Sequence, residues 1–408
     1  MSITNKLKIL NDPIYGFITI PNALIFDIIE HPYFQRLRRV TQLGLTYLVY
    51  PGAYHTRFHH ALGAMHLMTQ AVRTLRAKGQ EISAEEEEAV LIAILLHDIG
   101  HGPFSHALEH SLIPGISHEK LSIEYMKVLN KDFNGKLTLA IQIFSNKYHK
   151  HFLHQLISSQ LDMDRLDYLR RDCFYTGVSE GRVNTERLIS MLNVKNDQVV
   201  LDAKGIYSVE KFIVARRLMY WQVYLHKTVL SAEFLLINIL RRAKEVYTPD
   251  MPMPSTLRPF VSGEINMGYA QLLPLYSRVD DSDILAAIKE WSYSSNPILA
   301  LMCQMLLDRK LLGVQILNGP VEADRLAELR KAAALQFNIS VKEAEYFVFD
   351  HPMSNNAYNP DRESILLLYK DGTTKDVAQA ADHLNLSALA KTVTKHFLFY
   401  PKALRING

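Results

Sequence analysis

The chain has 408 residues, of which 48% are hydrophobic, with 45 lysines and arginines against 42 aspartates and glutamates. That length leaves room for two or three domains with sizeable cores, and a net charge of +3 excludes a histone-like polycation or an acidic disordered tail. Two cysteines, Cys173 and Cys303, exclude a disulfide framework and point to a reducing, cytoplasmic setting.

In chain order, the polar start is no signal peptide, and a short strand is expected near Tyr15–Ile20. A helix is expected over Ala61–Ala77. Ser83, with Glu86 three residues later, is a capping-box start, and the acidic run Glu85–Glu88 suits the positive end of a helix dipole. The apolar stretch Ala89–Leu96 that follows has no polar face, so this helix should run through the middle of a domain. It is far too short to span a bilayer. It stops at His97-Asp98-Ile99-Gly100, where glycine lets the chain turn. Further helices are predicted over Ser122–Leu129, Ser159–Arg171, Ser208–Arg242 and Asp281–Ser292, with a strand at Gln198–Leu201. Met251–Pro254 and Asn355–Pro360 read as loops.

The texture changes near Gly319-Pro320. Val321–Phe337 reads as helix, Ala344–Asp350 and Glu363–Lys370 as strands, Thr373–Leu389 as helix and Lys395–Tyr400 as a last strand. The expected fold class is therefore mainly α, with a helical domain over residues 1–319 and a small α/β module over 320–408.

Histidine is the unusual residue. Nine of 17 lie between His55 and His118, where an even spread would place between two and three. They fall in short segments: His55-Thr-Arg-Phe-His-His60, His97-Asp-Ile-Gly-His-Gly-Pro-Phe-Ser-His106 and Ser117-His-Glu119. A fourth segment, Leu161–Asp172, is rich in aspartate. Imidazole and carboxylate together suit Mn, Fe, Zn, Ni or Co, and the carboxylates admit Mg. His97 and Asp98, at a helix end, can converge on one divalent ion with His60 and Asp164 from other helices. Asp164, Tyr168 and Asp172 recur every four residues along one helix face. Asp167 and Arg171, also four apart, read as a structural ion pair. His55, His59, His66 and His110 read as structural.

These segments, with Lys8-Ile-Leu-Asn-Asp-Pro13, Phe34-Gln-Arg-Leu-Arg38, Gln42-Leu-Gly44 and Tyr224-x-His-Lys227, occur in the order that characterises the HD-domain phosphohydrolases. The chain most resembles the deoxynucleoside triphosphate triphosphohydrolases among them, over most of residues 8–240, with an HD core over about 50–175. The resemblance implies hydrolysis of a dNTP to deoxynucleoside and inorganic triphosphate. It implies one divalent metal per site on His60, His97, Asp98 and Asp164, with Mg or Mn accompanying the phosphates. It implies His106 as proton donor to the departing 5′-oxygen, His118 and Glu119 in its hydrogen-bond network, and His101 on the α-phosphate. Arg57, Arg165 and Arg216 match phosphate-binding positions, with Arg165 standing where some relatives have lysine. Gln42, Tyr168 and Asp172 match positions that contact the 3′-OH, and Tyr224 the tyrosine that leaves no room for a 2′-OH. Lys8, Ile9, Glu30, Gln35 and Arg38 match an allosteric nucleotide site of the GTP/dGTP type, in a homo-oligomer (dimer or tetramer) completed by the C-terminal module.

The chain departs from the pattern at His59, where relatives often carry glutamate, and at Glu109, where aspartate also occurs. It carries no SAM domain, and the region His110–Gln155 is short. The alternative readings are an HD-type phosphohydrolase acting on a nucleoside monophosphate, a guanosine alarmone or nucleic acid, and a catalytically weak nucleotide sensor. The near-neutral charge disfavours strong nonspecific nucleic-acid binding.

Overall fold

The computed structural model describes residues 8–265, 267–356, 358–359, 363–381 and 392–404, leaving aside the side chains of 105, 106 and 110. The molecule is mainly α. Its centre is the helix Ala84–Leu96, which begins where the capping box predicts: Ser83 Oγ accepts from the Glu86 amide (3.1 Å) and Glu86 Oε2 from the Ser83 amide (2.8 Å). Val90 to Leu96 are fully buried, against the helices Arg57–Ala77 and Thr138–Phe144. Arg57–Ala77 starts a turn earlier than predicted, because Thr56 and His59 form a capping box of their own. On its other flank lies Met163–Thr176. That helix starts later than predicted, since Asp162 caps it by accepting from the Arg165 amide (2.7 Å). It ends at Gly177, which takes the left-handed conformation (φ 76°). The predicted helix Ser122–Leu129 spans His118–Asp132 and carries Ser117 as its cap.

The expected continuous helix Ser208–Arg242 is broken. Ile206–Met219 runs into a π turn at Tyr220–Tyr224, and Lys227–Glu245 then leaves at 55°, its first turn capped by His226. The widened turn spends one extra residue, and the His226 imidazole accepts from the Thr228 amide (3.2 Å) at the start of the next helix. Both halves carry buried faces. Among the described residues no single helix is long and apolar enough to cross a membrane.

The strands are β1 (Ile9–Asp12), β2 (Gly16–Thr19), β3 (Leu192–Lys195), β4 (Gln198–Asp202), β5 (Gly313–Leu317), β6 (Phe349–Asn355), β7 (Leu366–Leu368), β8 (Thr374–Asp376) and β9 (Val393–Tyr400). β1 and β2 form a hairpin. β3-β4-β7-β8 form one sheet, with β4 and β7 parallel, and β5-β9-β6 form an antiparallel sheet. Each of the two larger sheets thus combines strands from both sides of residue 320. Ala344–Asp350 is corrected: Ser340 caps a 3-10 turn over Glu343–Tyr346, and the strand begins only at Phe349. Thr373–Leu389 is corrected in its first part, where β8 pairs with β7 and a helix spans only Val377–Ala380. Residues 382–391 of that prediction lie outside the described residues.

Candidate metal centre and its cavity

Three helices aim side chains at one point. Arg57–Ala77 contributes His60 from its first turn, Ala84–Leu96 ends at His97-Asp98, and Met163–Thr176 contributes Asp164 from its first turn. His60 Nε2 lies 3.3 Å from His97 Nε2 and 3.1 Å from Asp164 Oδ1, and His97 Nε2 lies 3.5 Å from that oxygen. Asp98 closes the group, its Oδ1 lying 3.3 Å from His97 Nε2 and its Oδ2 3.8 Å from His60 Nε2. Ligands held at about 2.0–2.2 Å from one ion stand roughly 3–3.5 Å apart, so this donor set fits a divalent metal. His60, His97 and Asp164 could hold one.

Both imidazoles are oriented from behind. His97 Nδ1 donates to the Ile94 carbonyl (2.6 Å) and His60 Nδ1 to Asp167 Oδ2 (2.8 Å), so each offers Nε2 to the centre. Asp167 is itself clasped by Arg171 through two bonds (2.9 and 3.0 Å), the ion pair the four-residue spacing predicts. Arg171 reaches on to Asp12 at the end of β1 (2.8 Å). Burial alone would push the Asp167 carboxyl up. Arg171 and His60 outweigh it and hold the group at about 2. Gly63 makes this packing fit, because a Cβ there would stand 2.0 Å from Asp167 Oδ1.

The turn after Asp98 is held by Arg36 from the Phe34–Arg38 segment, whose buried guanidinium donates to the carbonyls of Ile99 and His101 (both 2.7 Å). Gly100 lets the start of His118–Asp132 come close, since a Cβ would lie 2.1 Å from the His118 carbonyl. His118 therefore stacks on His101, with ring centroids 3.8 Å apart. Glu109 accepts from His118 Nδ1 (2.5 Å) and from its amide (2.9 Å). Glu119 is mostly exposed, 3.6 Å from His118 Nε2. Arg57 ion-pairs with Asp98. Burial and the Arg57 charge hold the His101 imidazole well below its usual range.

His106 sits in the helix Ser105–Leu112, and its side chain lies outside the described ones. That helix follows Phe104, a non-glycine residue in the left-handed region (φ 47°). Asp281, from the helix Asp281–Trp291, holds the strained backbone by accepting from the Phe104 amide (2.9 Å). Its other oxygen takes the Thr41 amide (2.9 Å) and hydroxyl (2.7 Å), tying the segment before Gln42 to the segment before His106.

A cavity of about 540 Å3 opens beside the donor set and is lined by Arg57, Asp98, His101, His118, Asp164 and Arg165. Gln42, Tyr168, Asp172 and Tyr224 line it too. Asp172 accepts from Tyr224 Oη (2.8 Å) and from His55 Nε2 (2.7 Å). Burial pushes the Tyr168 and Tyr224 hydroxyls upward, so both stay protonated. Gln42 Oε1 is buried without a hydrogen-bond partner among the described residues. Arg165 is paired with Asp162 and also lines a second, polar cavity of about 760 Å3; Arg216 lines only that second one. Lys8, Ile9, Glu30, Gln35 and Arg38 line neither. Arg38 Nε donates to Gln35 Oε1 (2.9 Å), Lys8 lies over the Phe26 ring, and Ile9 and Glu30 are exposed.

Two residues at this site were not legible as such. His55 read as structural, yet it holds Asp172, and Asp167 read only as an ion-pair partner, yet it orients His60. Neither spacing signals those contacts, which join elements far apart in the chain.

Residues 57–172 match the HD domain family model, and residues 183–251 match the HD associated region. The chain is 34% identical to the uncharacterized protein YwfO of Bacillus subtilis over 98% of its own length and 94% of that protein's. It is 31% identical to the deoxynucleoside triphosphate triphosphohydrolase SAMHD1 homolog of Dictyostelium discoideum, over 58% of this chain and 50% of that protein. Among solved structures, a phosphohydrolase from Bacteroides thetaiotaomicron superposes with a TM-score of 0.93 at 48% identity, covering 97% of this chain and 99% of the other. With the His-Asp donor set assembled as described, the chain belongs to the HD-domain phosphohydrolases.

Proposed function

We propose that the protein hydrolyses a deoxynucleoside triphosphate to the deoxynucleoside and inorganic triphosphate. The observation that carries this reading is the Asp172 carboxylate, gripped by His55 and Tyr224 in the same cavity as the His-Asp donor set. Such a cavity offers a sugar hydroxyl a fixed acceptor while a phosphate reaches the metal position. His60, His97, Asp98 and Asp164 would hold the ion. When bound, a divalent ion polarises a phosphoryl oxygen and acidifies water.

The chain's own groups supply the rest. Arg57 and Arg165 present guanidinium donors to phosphate oxygens, and Arg216 extends that charge into the adjoining cavity. His101, kept neutral, offers one N–H to the α-phosphate. Water oxygen bonds to the α-phosphorus as the bond to the 5′-oxygen breaks, and that oxygen needs a proton. We assign the donation to His106, within the network of His118, Glu109 and Glu119. Asp172, Tyr168 and Gln42 face the 3′-OH, and Tyr224 packs against the 2′ side. For the outlying set Lys8, Ile9, Glu30, Gln35 and Arg38, an acidic and an arginine side chain exposed near one another in sequence support a guanine-nucleotide activator acting on a homo-oligomer.

The test is a panel of the four dNTPs with metal-loaded protein and chromatographic resolution of products. Inorganic triphosphate and deoxynucleoside appearing together support the reading. Orthophosphate or pyrophosphate as the first product, or faster turnover of monophosphates, overturns it. Loss of both bound metal and turnover is expected for Asp164→Ala.

A further inference from the structure

One carboxylate in the cavity is not accounted for by this chemistry. The helix Lys227–Glu245 presents Leu230, Glu233, Phe234 and Ile237 to the cavity, at the spacing of a single helix face. Leu225 and Met353 of β6 extend the same apolar wall. Asp98, Asp164 and Asp172 are each held by arginine, histidine or tyrosine. Glu233 has no hydrogen-bond or ion-pair partner among the described residues, and burial alone pushes its carboxyl up to about 8. A carboxylate half-buried among leucine, phenylalanine, isoleucine and methionine costs free energy unless something pairs with it.

If phosphates lie at the donor set and the sugar at Asp172 and Tyr224, as in the function proposed above, the base is the part left to meet this wall. Its flat apolar faces suit Phe234 and Leu230, and its edge meets Glu233. We propose that Glu233 reads the base, and that it selects an edge carrying two adjacent N–H donors. Among the four DNA bases only guanine has one, at N1–H and N2–H2; two such donors favour the ionised form that burial alone disfavours, so Glu233 releases its proton on binding and accepts both at once. Adenine and cytosine set a ring acceptor beside their amino group, and thymine flanks its single N–H with two carbonyls. Each of these leaves a carboxylate oxygen unpaired or opposed to a lone pair, which is how a buried polar group discriminates.

The inference rests on the nucleotide reading of this cavity, and two assays separate the two. The first measures kcat/KM for dGTP and dATP with metal-loaded wild type, Glu233→Gln and Glu233→Leu. The second measures binding of deoxyguanosine and deoxyadenosine by equilibrium dialysis, with thermal midpoints as a check that each variant folds. The expected result is a guanine preference that falls about 10- to 100-fold in both variants, the scale of a charge-assisted pair of hydrogen bonds. An unchanged guanine-to-adenine ratio in folded variants, or no guanine preference in wild type, overturns the role of Glu233. Release of triphosphate from no dNTP, alongside Glu233-dependent deoxyguanosine binding, overturns the reaction and leaves the base reading standing.

Discussion

Asp167 lines no part of the cavity, yet it decides which way the His60 imidazole faces. Replacing it with asparagine keeps the shape but removes the charge that fixes the Nδ1–H tautomer. Asp167→Asn should lower metal affinity about 10- to 100-fold, as outer hydrogen-bond partners of metal ligands typically do, measured by titration calorimetry with Mn. The same residue predicts an acid response. Its folded-state pKa is depressed to about 2. An unfolded aspartate titrates near 4, so the stabilisation is complete above about pH 4 and is lost as pH falls towards 2. Urea unfolding of wild type and Asp167→Asn should therefore show a gap at pH 6 that narrows by pH 3, and a gap that widens on acidification would contradict this assignment.

Between elements, the site depends on close approach. Arg57–Ala77 and Met163–Thr176 pack with the Asp167–Arg171 pair directly over Gly63. Gly63→Ala, which on propensity alone should stabilise a helix, should instead destabilise the protein by on the order of 3 kcal/mol, because the buried pair must part or the helices separate. Chemical denaturation checks the sign: a more stable Gly63→Ala protein would mean the packing yields. Asp281 does similar service beside the cavity, where one carboxylate holds both Thr41 and the left-handed Phe104. Asp281→Ala should lower kcat more than it lowers metal content, since it loosens the segment that carries His106 without touching the donor set. Equal losses in kinetics and elemental analysis would place its effect on the metal site instead.

Across the whole molecule, the residues after 320 are woven into the rest. Among the described residues β5 pairs only with β9, and β4 pairs on one side with β7. Lys395 lies over the Trp221 ring, beside the π turn that carries Tyr224, and Met353 reaches the cavity. Removing residues 320–408 should expose two strand edges and the apolar side of the Lys227–Glu245 helix, giving aggregation in size-exclusion chromatography. A truncated chain that stays monodisperse with an unchanged thermal midpoint would show that the segment is a detachable appendage.

Local chemistry made much of this protein legible from its residues. The Ser83–Glu86 capping box, the buried run Ala89–Leu96 and the ion pair Asp167–Arg171 are short-range features whose partners lie within a few positions, so spacing alone specifies them. The mainly α class and the HD family follow from such patterns repeated along the chain. Spacing could not show that the helix expected over Ser208–Arg242 bends at Tyr220–Tyr224, because a π turn is rare, mostly a single turn inside a longer helix, and leaves the apolar spacing on either side of it helical. Nor could it show that His55 meets Asp172, that Asp281 joins two walls, or that Glu233 faces a cavity unpaired. Those contacts join side chains from separate elements, and only the packed chain, by excluding water around them, gives each charge its partner or leaves it waiting for one.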